Sequence, residues 1–413
     1  MNILGIIAEF NPLHRGHSYL MEKAKQMSGA NYTIVIMSGN FTQRGEPAIY
    51  DKQTRTRWAL ACGADLVIEM PAAAACASAK DFARCGVGLL AATGIVTHLA
   101  FGCENAELPR LSRLSKILRF EPDPYKDRLK ESLRQGLSWP AARSRALAGL
   151  VEDTPELLKQ PNNILALEYL AALEESREVF HHTITPLPVQ RIHAGYHDPG
   201  LEKPFCSATA LRQAILQDKD PNNYLFHFPD QIKEDAAKII CREPAITSDD
   251  LSSMVGLCLL NTSEDELLEI LDMDPSLKDR IINQAEYFSG FNAFANRLVT
   301  RAYTRTRISR ILIHLLLNMK NNCRQDLLQC SYAPYIRILG FKKDSAPLLG
   351  DLKKSSLAPV ISRPAAALRQ LISPDAQRLF RLDVHAAEIY QNLQSIKKGS
   401  PVPHEFRQKV VIL

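Results

Sequence analysis

Apolar and polar residues alternate in blocks along the first 120 positions. Residues 2–9 form an apolar, β-branched run and predict a strand. Residues 14–29 place Leu20, Met21, Ala24 and Met27 at helical spacing. Two further apolar runs follow, at 32–37 (YTIVIM) and 65–70 (DLVIEM). Residues 80–92 predict a helix, and 98–102 (HLAFG) a fourth strand. Apolar strands separated by helices imply an α/β fold with a parallel sheet covered on both faces. Ligands of such sheets bind at the carboxyl ends of the strands, where the strand order reverses. Residues 107–180 read as mostly helical, with a break at Pro161-Asn162-Asn163, and 185–191 return as a strand. Residues 208–216 predict a short helix. The polar stretch 217–224 (QDKDPNNY) marks a boundary between a domain at 1–220 and a mainly α-helical domain at 221–413.

Composition narrows the class. Of 413 residues 46% are hydrophobic and 23% charged, which excludes a disordered or low-complexity chain. No run approaches the ~18 nearly unbroken apolar residues of a membrane helix. The first apolar run has no basic segment before it, so it reads as a buried strand, not a secretion signal. Nine cysteines, an odd number without a CxxC pair, argue against a disulfide framework or a zinc ribbon. Reduced thiols and a cytoplasmic location are expected. Net charge is +5, but residues 1–230 are balanced at 25 cations and 25 anions. Residues 311–413 carry 15 cations against 7 anions, a charge that attracts nucleic acid.

The candidate chemistry lies just after the first strand. His14-Arg15-Gly16-His17 (HxGH) opens the first helix, behind an Asn11-Pro12 turn. A glycine there lets a phosphate approach the backbone, and the helix start offers unpaired N–H groups. Two imidazoles three residues apart can donate to the α- and β-phosphates of ATP while a nucleophile attacks the α-phosphorus. The plain alternative is a capping turn with two surface histidines. A zinc site lacks further ligands at recognisable spacing. Ser207-Ala208-Thr209-Ala210-Leu211-Arg212 is the second piece. Alone it reads as an N-cap followed by a surface arginine. Paired with HxGH, Ser207, Thr209 and Arg212 form the expected second phosphate clamp, with Arg212 on the leaving pyrophosphate.

HxGH followed by S-x-T-x-[IL]-R resembles the nucleotidylyltransferase superfamily. Small metabolic adenylyltransferases of that superfamily usually carry aspartate where Asn11 stands here. A fuller match is to the bacterial tRNA(Met) cytidine acetate ligase family, which the chain resembles over nearly its whole length. The matching stretches are 5–17 (GIIAEFNPLHRGH), 37–48 (MSGNFTQRGEPA), 63–71 (GADLVIEMP), 101–104 (FGCE), 161–165 (PNNIL), 191–198 (RIHAGYHD) and 303–314 (YTRTRISRILIH). The resemblance implies a Rossmann-like HxGH nucleotidylyltransferase domain with a parallel sheet, followed by the mainly helical domain. It implies that acetate is activated with ATP to acetyl-adenylate. Acetyl then passes to the wobble cytidine of elongator tRNA(Met), giving N4-acetylcytidine. The resemblance further implies that acetyl-CoA is not the donor.

By matching position, the resemblance assigns ATP binding to Ile7, Ala8, Glu9, Phe10, Asn11, Pro12, Leu13, His14, Arg15, Gly16, His17, Ser18, Tyr19 and Leu20. Gly102, one of Asn162 and Asn163, and Arg191 with Ile192 complete the nucleotide site. His14 and His17 stabilise the α-phosphate transition state. Ser38-Gly39-Asn40-Phe41, closing the second strand, suits an acetate pocket or a Gly-Asn turn with a core phenylalanine. Arg44, Lys52, Arg55 and Arg57 suit acetate, pyrophosphate or tRNA, though solvated helix-face charges are the expectation for most of them.

Residues 297–314 predict one helix with Arg297, Arg301 and Arg305 on one stripe and Arg307, Arg310 and His314 on another. Such stripes are ordinarily solvated, but with Tyr303, the neighbouring lysine pairs and the resemblance they point to tRNA. Asp383, Glu388 and Tyr390 also resemble the family and are expected to fasten the last helix. Acetate is already an anion at neutral pH, so its attack needs no base, and no catalytic carboxylate pair is evident. Mg²⁺ is expected with ATP, without a dedicated protein cage. Two other classes stay open: a metabolic adenylyltransferase without RNA substrate, and an RNA-binding protein with a degenerate nucleotide fold.

Overall fold

The computed structural model describes residues 1–413 except 138, 149, 151–156, 159, 192–205 and 218–219. Five strands run parallel in the order β5-β4-β1-β2-β3. They are β1 (Ile3–Ala8), β2 (Tyr32–Ser38), β3 (Leu66–Met70), β4 (His98–Cys103) and β5 (Thr185–Gln190). The chain steps outward from β1 to β3, then returns to place β4 on the other side of β1. That reversal opens a crevice at the carboxyl ends of β1 and β4. The expected strands and the helices Arg15–Ser28, Ala79–Ala92 and Ala208–Gln217 fall within a residue or two of their sequence positions.

Alternate strand residues feed two separate cores. Ile3, Ile34, Ile36, Leu66 and Ile68 point to one face, and Leu4, Ile6, Val35, Met37 and Val67 to the other. Both faces are covered, which explains why these strands carry no polar alternation.

The second half is not helical alone. It contributes β6 (Ile336–Phe341), β7 (Val360–Ile361) and β8 (Val411–Ile412), and β6 pairs antiparallel with β3. One eight-stranded sheet therefore draws on residues before and after 220 among those described. The sequence hid β6 because Arg337 sits in its middle. That arginine is buried and compensated from far along the chain. The long helix Pro374–Lys398 packs back on the first half. Asp383 Oδ1 accepts from the Ala72 amide at 2.7 Å, and the Tyr390 hydroxyl donates to the Ala48 carbonyl at 2.7 Å. Glu388 pairs with His404. Asp383 and Tyr390 fasten this helix to the first half, whereas the partner of Glu388 lies in the segment that follows the helix.

The expected helix over 297–314 is broken. Phe291–Leu298 ends before Val299, and Thr304 caps a new helix, Arg305–Leu316, by accepting from the Arg307 amide. A β-branched residue at the break and a threonine positioned to cap stop the helix from continuing.

Candidate active site

The turn after β1 is built by reciprocal histidine caps. His14 Nδ1 accepts from the Gly16 amide at 3.0 Å, and His17 Nδ1 accepts from the His14 amide at 3.3 Å. Histidines thus do what a serine and a glutamate do in an ordinary capping box. The chemical consequence is the tautomer. Each Nδ1 is an acceptor, so each neutral ring carries its proton on Nε2, where it can donate to a ligand. The rings lie 3.9 Å apart, and Phe10 packs edge-on against His17 at 5.1 Å. Phe10 takes a left-handed backbone conformation, φ 48°, which turns its ring into this position. Gly16 has no room for a side chain: a Cβ there would lie 2.8 Å from His14 Cε1.

Burial, reinforced by Arg191, lowers the His17 imidazole to about 3. Burial, then His17, Arg191 and other cations, holds His14 well below its usual range. Both rings stay neutral donors through physiological pH. A folded-state pKa below the ordinary 6.5 means the unfolded chain takes up the proton first as pH falls. Stability is therefore complete above about pH 6.5. Below it, each imidazole withdraws up to about 1.4 kcal/mol per pH unit until its own folded pKa is reached. The urea midpoint is expected to fall between pH 7.5 and pH 5, and to fall less in His14→Asn, which keeps a cap acceptor. Equal slopes for the two proteins would contradict this reading.

Two adjoining cavities share His14, His17 and Arg191. The larger, about 360 Å³, is lined by Ile7, Ala8, Glu9, Phe10, Asn11, Gln43, Arg44, Asn162, Tyr169, Ser207, Thr209 and Arg212, among others. The smaller, about 50 Å³, adds Gly16, Tyr19, Leu20 and Gly102. The two sequence motifs, 190 residues apart, therefore meet in one crevice. Ser207 Oγ caps its helix by accepting from the Ala210 amide at 3.1 Å. Arg212 Nη1 donates to the Asn11 carbonyl at 2.7 Å, and the guanidinium pairs with Glu46 at 3.0 Å. Asn11 Oδ1 accepts from the Ile49 amide at 2.8 Å, so the residue that replaces aspartate ties the turn to the 40–50 loop.

Not every expected residue faces this crevice. Asn162 lines it. Asn163 lies behind, accepting from the Glu104 and Asn105 amides at 3.0 Å each. Pro12, Leu13, Arg15 and Ser18 shape the turn and its helix without lining either cavity, and Arg15 pairs with Asp230 at 3.2 Å. Ile192 lies outside the described residues, as does most of the 191–198 stretch.

The Ser38-Gly39-Asn40-Phe41 segment does not open into the crevice. Ser38 and Phe41 are buried, and Gly39, Asn40 and Phe41 line a separate small cavity with Lys52, Glu69 and Asp383. The segment is held by Arg55, which donates to the carbonyls of Glu9 (2.7 Å), Ser38 (3.1 Å), Tyr50 (3.0 Å) and Gly39. Lys52 and Arg55 are fully buried, not solvated as their sequence context suggested. Arg57 does reach the surface, where it pairs with Asp235 at 3.3 Å. Gln43 and Arg44, on the crevice wall, are held by a sharp turn at Gly45. Its φ is 71°, and a Cβ there would strike the Arg310 amide at 2.2 Å.

The two arginine stripes do not form. Arg307 pairs with Asp274 at 2.9 Å beside the Tyr303 ring, and Arg305 is tied to Asn296 at 2.8 Å and to Asn292. Arg310 is largely buried, and His314 is wholly buried between the Leu271 and Cys76 carbonyls. Of the five arginines proposed for tRNA, Arg297 and Arg301 are exposed.

A strand-to-helix turn carrying two neutral imidazole donors, opposite an arginine-bearing helix start, defines a HIGH-type nucleotidyltransferase site. A family model for the HIGH nucleotidyl transferases matches residues 1–402. Curated relatives named tRNA(Met) cytidine acetate ligase match along 94–100% of their own length. The Acetivibrio thermocellus protein is 32% identical, covering 100% of both chains. That of Syntrophomonas wolfei is 37% identical, over 98% of this chain and 100% of its own. The crystal structure of Thermotoga maritima TmcAL in its apo form superposes with a TM-score of 0.92 at 27% identity, covering 100% of both chains. The same protein bound to alpha-thio ATP superposes at 0.89 and 28% identity, again over all of both chains. The chain belongs to the tRNA(Met) cytidine acetate ligase family.

Proposed function

We propose that this protein activates acetate with ATP and transfers the acetyl group to the wobble cytidine of elongator tRNA(Met). The observation that carries this reading is the meeting of His14, His17, Ser207, Thr209 and Arg212 in one crevice of a family member. The α-phosphate of ATP sits at the two Nε2–H donors, and Arg212 exchanges Glu46 for the leaving pyrophosphate. Arg44, which approaches Thr209 at 3.4 Å, adds a second cation on that side. The adenosine lies at the open mouth of the smaller cavity, against Gly102 and Leu20. Acetate, already ionised, attacks the α-phosphorus from the larger cavity, so no proton needs to move in this step. Mg²⁺ bound to the ATP phosphates would supply further charge neutralisation. Among the described residues, no cluster of three or more His, Cys, Asp or Glu could hold a metal ion. No helix among the described residues is long and apolar enough to cross a membrane. A cytoplasmic location is the reading that the nine free thiols and an RNA substrate support.

The C-terminal half grips the tRNA through its exposed cations, of which Arg297 and Arg301 are the sequence candidates still at the surface. Arg297→Glu with Arg301→Glu is expected to weaken tRNA(Met) binding at low salt by about tenfold. It leaves acetate-dependent pyrophosphate release without tRNA unchanged. Equal affinity for the two proteins would move the RNA surface elsewhere. The reading as a whole is tested by incubating tRNA(Met) with ATP and isotopically labelled acetate or labelled acetyl-CoA, then digesting to nucleosides. Label in N4-acetylcytidine from acetate alone is the expected outcome. Label from acetyl-CoA alone would overturn it.

A further inference from the structure

The large cavity has two unlike walls. One carries Arg44, Arg191, Arg212 and the imidazoles, and suits the phosphates. The other comes from the helices Ala79–Ala92 and Pro161–Phe180 and presents Phe82, Leu165 and Tyr169. An apolar, aromatic wall has no use for a triphosphate, but it suits the face of a flat, uncharged heterocycle. Just after the end of β1, Glu9 joins this lining as the one carboxylate among the described residues lining either cavity. Its Oε1 accepts from the Gln43 amide at 2.7 Å, which orients the group.

A carboxylate there opposes the binding of both ATP and acetate, and the first step needs no base. The second step does. The exocyclic amine of cytosine is a weak nucleophile, because its lone pair is delocalised into the ring. It becomes cationic as it attacks. We propose that the apolar wall receives the unstacked cytosine and that Glu9 accepts the proton its amine releases, an assignment that rests on the acetyl-transfer reading of this same site. N4 attacks the acetyl carbonyl, forming the C–N bond. Glu9 takes one N4 proton, and the tetrahedral intermediate collapses. The C–O bond to phosphate breaks, and its electron pair leaves with AMP. Glu9 then returns its proton to solvent.

The electrostatics agree. Burial pushes the Glu9 carboxyl above the usual range, against the Gln43 amide and Arg44, and so makes it a better base. The other charged or titratable groups around it are Glu46, Arg55, Cys76, Tyr169 and Arg212, with His14 and His17 across the crevice. Burial drives Cys76 and Tyr169 far above neutrality, and the imidazoles lie far below it.

The test separates the two half-reactions. Adenylation is read as acetate-dependent exchange of labelled pyrophosphate into ATP, and transfer as single-turnover acetylation of a tRNA(Met) transcript. Glu9→Gln keeps an acceptor for the Gln43 amide. It is expected to lower transfer relative to adenylation by about 10²–10⁴. Wild-type transfer should accelerate as pH rises through the Glu9 titration, while Glu9→Gln shows no such rise. Glu9→Asp should regain part of the rate together with the pH dependence. Equal losses in both half-reactions, or a loss cured by raising Mg²⁺, would assign Glu9 to nucleotide binding and overturn the proposal. Wild-type protein without acetate-dependent exchange would sink the functional reading itself, and this assignment with it.

Discussion

Replacing His17 with alanine is expected to lower acetate-dependent pyrophosphate release by about 10²–10³, the usual cost of losing one fixed donor to a developing oxyanion. The substitution removes the Nε2–H aimed into the crevice and also the acceptor for the His14 amide at 3.3 Å. Losing the cap costs about 1 kcal/mol of stability, far too little to unfold a protein of ordinary stability. The fall should therefore appear in turnover at saturating ATP, with the protein still folded. His17→Asn can accept from the His14 amide but offers a shorter donor, so it should recover the cap and only part of the rate. Turnover of His17→Ala within fivefold of wild type would remove His17 from the chemistry.

Replacing Lys52 with methionine is expected to cost about 3–5 kcal/mol of folding stability. Lys52 Nζ lies 2.7 Å from Glu69 Oε1 and 2.7 Å from Glu405 Oε1, with all three side chains buried. Arg337 completes the cluster, 3.0 Å from Glu69 Oε2 and paired with Glu405. Burial alone would push Glu405 up, but Lys52 and Arg337 outweigh it and hold the carboxyl at about 2. Nearby Asp383 is pushed up to about 7 by burial and by Glu69, so the pocket tolerates no further negative charge. Removing Lys52 strands a carboxylate in the core, and total stability is only about 5–15 kcal/mol. The urea midpoint should fall sharply, and Glu405→Gln added to Lys52→Met should restore much of it. An unchanged midpoint in the single variant would mean that water or rearrangement compensates the carboxylates.

The first half of the fold is legible in the sequence because each of its signals is local. β1 to β5 are short apolar runs bounded by turns, and the HxGH turn needs only four neighbouring residues. The meeting of that turn with Ser207, Thr209 and Arg212 followed from the paired motifs, not from either alone. What the sequence withheld was set by distant partners. Lys52 reads as a surface charge until Glu405 is brought to it, and Arg337 hides β6 for the same reason. Arg55 looked like one more helix-face cation, yet its partners are four backbone carbonyls, which leave no trace in residue identity. The arginine stripes failed on a local point, the Thr304 cap, whose signal was present and was outweighed by the regular arginine spacing. Glu9 and Tyr169 acquire meaning only from the wall opposite them.

Acetate-dependent exchange of labelled pyrophosphate into ATP, in the absence of tRNA, tests the central claim most directly. Exchange is expected to require acetate, to be unaffected by acetyl-CoA, and to be lost in His17→Ala. Exchange independent of acetate, or none with acetate but transfer of AMP to a phosphate ester, would contradict it.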